Sequence, residues 1–194
     1  MRFRSVTFPL FILTIGILLI FVSSASAQAD GTVRVVSLSG SGYERANSVS
    51  FSPDGKLLAV GGSSGVYLFD TEKLSALDFI QTNTWARSVA FLSGSNRLAA
   101  GLFDDTIKLW RVPEAQPIQT LAGHQGWVRS ISVSRDGSLI ASASDDNTVR
   151  VWKTIDGVSV LILDKDTDGV RAVALSPDGQ FVAAALEDTT VRVW

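Results

Sequence analysis

The sequence predicts an all-β fold made of four similar units in succession. Trp110, Trp152 and Trp194 stand 42 residues apart, and Phe69 precedes the first of them by 41 residues. Around each aromatic lie short segments rich in Val, Thr and Ser, separated by turns that contain glycine. No helical periodicity is present beyond the N-terminal segment, so we expect strands throughout the repeats.

Each unit is expected to contain three short strands, with a fourth, outer strand before the next unit. In the first strand Val49 and Phe51 alternate with serines, which is the two-residue period of a strand. The third strand ends at the recurring aromatic, as in Thr-Val-Arg-Val-Trp. The three-strand sets are 46–51, 57–61 and 65–69; 86–91, 97–101 and 106–110; 128–133, 139–143 and 148–152; 170–175, 181–185 and 190–194; the outer strands lie near 77–80, 117–121 and 158–163.

Tight turns join the first strand of a unit to its second. Residues 52–55 and 176–179 read Ser-Pro-Asp-Gly, and residues 134–137 read Ser-Arg-Asp-Gly. Proline fixes φ at the first turn position, and glycine accepts a positive φ at the end. These segments therefore predict hairpins.

The repeat length, the turn and the terminal aromatic together resemble the WD-repeat family of β-propellers, over residues 44–194. The resemblance implies four-stranded antiparallel blades packed around a shared axis. The Trp-Asp pair that characterises the family is absent, since arginine follows Trp110 and lysine follows Trp152. The aromatic itself does the packing, so a propeller is still expected. The first unit departs most, because it is one residue shorter and lacks an aspartate in its second turn.

Propellers typically have four to eight blades, and this sequence shows four units, the last with its third strand at Trp194. We expect a partial propeller, because the family resemblance points to rings of about seven blades and a four-bladed arc leaves two blade faces uncovered. The alternative is a closed four-bladed ring. In that ring an extra strand at 32–38, within a lead-in at 28–43, supplies the outer strand of the last blade.

Residues 1–27 have the features of an export signal. Two arginines near the start are followed by an apolar run at 8–22. The Ala-Ser-Ala sequence at 25–27 has the pattern that signal peptidase accepts, so cleavage is expected after Ala27. The alternative is an uncleaved signal anchor, although 15 residues are fewer than the roughly 20 that span a bilayer. We expect a secreted or extracytoplasmic protein that contacts a membrane only through this segment, if at all.

Composition excludes several functions. Without the signal, the chain has 15 basic and 19 acidic side chains, so general binding to nucleic acid is not expected. The absence of cysteine excludes disulfides, thiolate nucleophiles and cysteine-ligated zinc. No cofactor is predicted.

His124 is the single histidine, and a serine, an aspartate and a tryptophan follow it in the third unit. The WD-repeat resemblance implies a buried hydrogen-bonded chain that runs from Trp152 through Ser142 and His124 to Asp146. The competing interpretation is a catalytic triad of Ser142, His124 and Asp146. We favour the structural network, because a catalytic serine must be exposed beside an oxyanion hole, and we assign no catalytic residue.

The second and fourth units have the turn aspartate without the rest of this network. Alanine replaces the serine in both units, so Asp104 and Asp188 are expected to accept backbone N–H bonds within their own turns. A separate run at 164–169 copies the start of a calcium-binding loop. Its twelfth position is Leu175, where a glutamate ligand is needed, so no metal site is predicted.

A candidate partner-binding face is implied by the positions that WD-repeat proteins place near the mouth of the central channel. Tryptophan and arginine, the residues most enriched at interface hot spots, recur there. The alternative is a solvated arginine ring with tryptophans packed between blades. The residues of this face are Trp85, Arg87, Phe103, Trp127, Arg129, Asp145, Arg171 and Glu187.

The predicted function is an exported, non-catalytic scaffold that binds one or more protein partners. Two alternatives remain open, a propeller enzyme or a sensor protein, in each of which the active or signalling part lies outside this segment. Fold alone does not choose the partner.

Overall fold

The computed structural model describes residues 45–94, 96–163 and 169–194, together with two short N-terminal strands. The chain divides into two compact units, Met1–Tyr43 and Glu44–Trp194. In the first unit the described strands are β1 (Phe21–Val22) and β2 (Leu38–Ser39), which pair antiparallel. The rest of the predicted signal and lead-in lies outside the described residues. Nowhere in the described part of the chain is a helix long and apolar enough to span a bilayer.

The second unit consists of four antiparallel sheets, one for each predicted repeat, which confirms the all-β fold. We call these sheets blades 1 to 4. Blades 1 to 3 have four strands each, and blade 4 has three among the described residues. Blade 1 contains β3 (Ser48–Phe51), β4 (Leu57–Gly61), β5 (Gly65–Asp70) and β6 (Ser75–Gln81); blade 2 contains β7 (Ala86–Leu92), β8 (Arg97–Leu102), β9 (Thr106–Arg111) and β10 (Gln116–Ala122); blade 3 contains β11 (Val128–Val133), β12 (Leu139–Ser144), β13 (Val149–Lys153) and β14 (Ser159–Leu163); blade 4 contains β15 (Val170–Leu175), β16 (Val182–Leu186) and β17 (Val191–Val193).

The first turn of blades 1, 3 and 4 has the same construction. In blade 1, Ser52 Oγ donates to Asp54 at 2.6 Å, and the Leu57 amide donates back to Ser52 Oγ at 2.8 Å. Gly55 has a φ of 72°, and the equivalent glycines of blades 3 and 4 have φ values of 70° and 72°. The Ser-x-Asp-Gly sequence therefore closes each hairpin with side chain as well as backbone.

Successive blades pack through their inner strands, since β3 contacts β7, β7 contacts β11, and β11 contacts β15. Three apolar clusters fill the spaces between neighbouring blades. Serines on the inner strands add a polar link that the sequence did not predict. The Ile131 amide donates to Ser88 Oγ of the preceding blade at 3.1 Å, and the Leu175 amide donates to Ser132 Oγ at 3.0 Å.

The blades at the two ends of this series expose apolar side chains. Val49 and Phe51 of blade 1 are 64% and 63% exposed, whereas Val89 and Phe91, their equivalents in blade 2, are buried. In blade 4 Phe181, Val191 and Val193 are exposed as well. Equivalent apolar side chains are buried between the other blades, where removal of apolar surface from water stabilises the packing.

Candidate functional site

A chain of hydrogen bonds links strands β12 and β13 of blade 3 to the loop that enters the blade. Trp152 Nε1 donates to Ser142 Oγ at 2.8 Å, and Ser142 Oγ lies 2.7 Å from His124 Nε2. On the other side of the imidazole, His124 Nδ1 lies 2.8 Å from Asp146 Oδ2. The structure thus brings together all four residues that the sequence placed in one network.

Asp146, at the end of this hydrogen-bonded network, accepts further hydrogen bonds. The Gln125 amide donates to its Oδ2 at 3.0 Å, and the amide and hydroxyl of Thr148 donate to its Oδ1 at 2.9 and 2.6 Å. Burial alone raises the pKa of Asp146, but the hydrogen bonds from His124, Thr148 and Gln125 outweigh it and hold the pKa well below 3.8, its usual value. Asp146 is therefore an ionised anchor for the loop around His124.

This network is closed to solvent. Ser142 is 0% exposed and His124 is 7% exposed. The Ser–His–Asp contacts have the order of a catalytic triad, yet Ser142 Oγ already accepts the indole N–H of Trp152. Ser142 is buried in this structure, whereas nucleophilic attack needs an accessible hydroxyl beside oxyanion donors.

The turn aspartates of blades 2 and 4 make local bonds of the same kind. The Thr106 amide and hydroxyl donate to Asp104 Oδ1 at 3.3 and 2.5 Å, and those of Thr190 donate to Asp188 Oδ1 at 2.9 and 2.6 Å. Lys108 adds a salt bridge to Asp104 at 2.7 Å. Because His124 is the single histidine of the sequence, no imidazole links these two aspartates to a buried serine.

Three aromatic rings form a stack across blades 2 and 3. Phe103 lies between two tryptophans, with its ring centroid 5.5 Å from that of Trp85 and 4.3 Å from that of Trp127. Both pairs are nearly parallel, with interplanar angles of 7°. Trp85 is 36% exposed and Trp127 is 46% exposed. We call Trp85, Phe103 and Trp127 the aromatic stack.

Backbone hydrogen bonds fix the segments that carry the aromatic stack. The Phe103 amide donates to the Trp85 carbonyl at 3.1 Å, and the Asp145 amide donates to the Trp127 carbonyl at 3.0 Å. The loop before Trp127 is also the one that Asp146 holds through Gln125. The buried network of blade 3 therefore supports one edge of the exposed stack.

Two ion pairs lie among the remaining predicted face residues. Arg129 Nε and Nη2 donate to the two carboxylate oxygens of Asp145 at 2.6 and 2.7 Å, a contact that raises the pKa of Arg129. The guanidinium carbon of Arg129 also lies 5.6 Å from the Trp127 ring centroid, within cation–π range. Arg171 pairs with Glu187 at 2.6 Å in blade 4.

The predicted face is thus partly assembled. Trp85, Phe103 and Trp127 contact one another in series, and the Arg129–Asp145 pair adjoins the last of them. The Arg171–Glu187 pair lies in blade 4, and the charge of Glu187 also helps to raise the pKa of Arg129. Arg87 makes no ion pair within the described residues.

Metal ligation has no support in the described residues, among which no group of three His, Asp or Glu side chains is clustered to hold an ion. The acidic run at 164–169 falls outside the described residues except for Gly169.

Sequence reasoning missed the threonines that bind the turn aspartates. Thr106, Thr148 and Thr190 each lie two residues after their aspartate, and each hydroxyl donates to it. The recurring Asp-x-Thr spacing carries this signal, because a threonine hydroxyl two residues from a turn carboxylate is within hydrogen-bonding reach.

Blades of this construction, with a recurrent aromatic on the third strand and a Trp-Ser-His-Asp network, define a WD-repeat protein of β-propeller type. The chain belongs to the family described as WD domain, G-beta repeat, whose model matches residues 33–70, 75–111, 115–153 and 157–194. These matches cover most of the chain, and they confirm the prediction of four WD repeats. The last three matches each begin near the outer strand of one blade and continue through the next blade. Among curated proteins, no sequence gives a match.

Proposed function

We propose that this protein is an exported, non-catalytic scaffold that binds a protein partner at the aromatic stack and the adjoining Arg129. Membership of the WD-repeat family supports a role in protein–protein interaction. The observation that carries the proposal is the half-exposed stack of Trp85, Phe103 and Trp127. Clustered exposed aromatics are uncommon on a surface without a binding role.

The rigidity of the face favours binding. Because the three rings are already stacked and their loops are fixed by backbone bonds, little conformational entropy is lost when a partner covers them. Arg129 is likewise held in place by Asp145. Tryptophan and arginine side chains that are pre-organised in this way are typical of interface hot spots.

Substitution of Trp127 and Arg129 together by alanine is expected to reduce partner capture at least tenfold. The double variant removes the more exposed end of the aromatic stack and its adjoining cation, and a hot-spot residue contributes about 2 kcal/mol or more. The measurement is proximity labelling by the full chain on the exported side of the membrane, with labelled partners quantified by mass spectrometry.

A matched control removes one exposed apolar side chain and one arginine from a different surface, on blade 2. Ile118 is on the outer strand β10, and Arg111 ends β9 at the opposite end of the blade from Phe103. The Arg111→Ala/Ile118→Ala variant is expected to capture the same partners as the parent chain. Equal capture by all three proteins contradicts the proposed face.

Export rests on the N-terminal sequence. An apolar run at 8–22 precedes the Ala-Ser-Ala sequence at 25–27, and we propose cleavage after Ala27. N-terminal sequencing of the exported protein is expected to read from Gln28. Ala27→Arg is expected to block processing, because signal peptidase requires a small residue there. A chain that stays in the cytoplasm with its N-terminus intact contradicts export.

A further inference from the structure

Blades 3 and 4 share a pairing of arginine with an acid at two fixed repeat positions. In blade 3, Arg129 and Asp145 form a bidentate contact with nitrogen–oxygen distances of 2.6 and 2.7 Å. In blade 4, Arg171 and Glu187 pair at 2.6 Å. Each arginine lies in a bulge of the innermost strand, where the register with the second strand shifts. The acid in each case comes directly before the turn aspartate.

Blade 2 has the same bulge and the same arginine but no acid. The register of β7 and β8 shifts between Ala86 and Ser88, which leaves Arg87 in the bulge. The acid position holds Phe103, the central ring of the aromatic stack. Among residues 45–94, 96–163 and 169–194, Arg87 forms no ion pair. Its side chain is partly exposed.

The charge of Arg87 is therefore not neutralised within the described structure. A guanidinium stays protonated at any physiological pH, and its planar array of donors matches the two oxygens of a carboxylate. Asp145 of the next blade is already engaged on both oxygens by Arg129. Arg87 is thus the arginine of this repeat position that is open to an anion from outside the chain.

We propose that Arg87 binds a carboxylate of the partner, while an apolar side chain next to that carboxylate packs on Trp85 of the aromatic stack. This inference rests on the proposed function and names the partner's chemistry as an acidic peptide segment with an adjoining aromatic or aliphatic residue. Trp85 is two residues from Arg87, so one short peptide segment spans both groups.

The surroundings favour a single carboxylate over a phosphate or a nucleic acid. Asp145 and Glu187 belong to the predicted face, Asp104 directly follows Phe103, and residues 28–194 contain 19 acids against 15 bases. One unpaired cation matches one negative charge, whereas a doubly charged phosphate is usually held by several cations. A polyanion is repelled by the remaining carboxylates.

The test uses short random peptides displayed on phage and selected on the purified full chain. Selection is expected to enrich Asp or Glu next to an aromatic or aliphatic residue. The best peptide and its amide analogue, with Asn or Gln in place of the acid, are then measured by fluorescence polarisation. For the acidic peptide, Arg87→Gln is expected to weaken binding about tenfold to a hundredfold, since a charge-assisted hydrogen bond is lost. The amide analogue is expected to bind the parent and this variant equally.

Two further variants separate the Arg87 contact from general effects. Arg111→Gln removes an exposed arginine at the opposite end of blade 2 from Phe103 and is expected to leave binding of the acidic peptide unchanged. Phe103→Glu gives blade 2 the acid that blade 4 has at this position, and is expected to abolish binding by pairing with Arg87 and breaking the stack. The thermal midpoint of Arg87→Gln is expected to match the parent, which shows that the loss is not unfolding.

The outcomes distinguish this inference from the proposed function. Binding that requires Trp127 but is unaffected by Arg87→Gln overturns the carboxylate contact and leaves the aromatic face standing. If Arg87→Gln weakens binding of the acidic peptide and of its amide analogue equally, the carboxylate contact is also overturned. The same holds if the parent chain binds a phosphoserine peptide more tightly than the acidic peptide. If no selected peptide depends on either Trp127 or Arg87, both proposals are wrong.

Discussion

Replacement of Trp152 by alanine is expected to lower the free energy of unfolding by about 3–5 kcal/mol, the range for removal of a large buried aromatic. Trp152 is 1% exposed and belongs to the apolar cluster between blades 2 and 3 that includes Ile107, Leu109 and Ile131. The substitution leaves a cavity in this cluster, and it also removes the indole donor from Ser142 Oγ. Urea denaturation monitored by circular dichroism measures the loss.

Trp110 provides a matched control, because it occupies the same repeat position and is also buried. In its blade Ala100 takes the place of Ser142, so the indole of Trp110 has no serine partner there. Phenylalanine substitutions keep most of the apolar volume and isolate the hydrogen bond. Trp152→Phe is expected to cost about 1 kcal/mol more than Trp110→Phe, the net value of one buried hydrogen bond. Equal losses for the two variants contradict a stabilising role for the Trp–Ser bond.

The sequence predicted the blades well because their signals are local and repeated. The Ser-x-Asp-Gly turns and the alternation within β3 each lie inside one repeat, and Trp110, Trp152 and Trp194 recur at an interval of 42 residues. Boundaries differ where a hydrogen-bond ladder continues past the assigned strand. In blade 4 the predicted strand 190–194 is observed as β17 (Val191–Val193), although Trp194 still exchanges backbone hydrogen bonds with Val182.

The contacts between blades could not be predicted from the sequence. Phe103, Trp85 and Trp127 were placed on one face by their repeat positions, yet the stacking of Phe103 between the tryptophans depends on the spacing of two neighbouring blades. The bonds from β11 and β15 amides to serines of the preceding blade depend on the same spacing. Repeat position specifies which face a side chain belongs to, but inter-blade geometry specifies its partner.

Substitution of Asp146 is also expected to lower the free energy of unfolding strongly, because this residue joins the buried network to the loop that carries Trp127. The side chain is 8% exposed and accepts hydrogen bonds from His124, Gln125 and Thr148. Asp146→Asn keeps the shape but replaces one acceptor oxygen with a donor amide that faces other donors. We expect a loss of about 2–4 kcal/mol in the free energy of unfolding, since buried donors lose a charged acceptor.

The pH dependence of this loss tests its origin. Because the pKa of Asp146 is lower in the folded chain than its usual 3.8, the unfolded chain takes up the proton first as pH falls. The stability that ionised Asp146 contributes is therefore complete above about pH 5 and is lost as pH falls below about 4 and through the folded pKa. The difference in unfolding free energy between the parent and Asp146→Asn is expected to narrow in that acid range. Asp188→Asn, the blade 4 equivalent without a histidine partner, is expected to lose much less stability at neutral pH. Stability curves for the parent and Asp146→Asn that stay parallel from pH 7 down to pH 2.5 contradict a folded-state charge at Asp146, and with it the ionised anchor beneath Trp127.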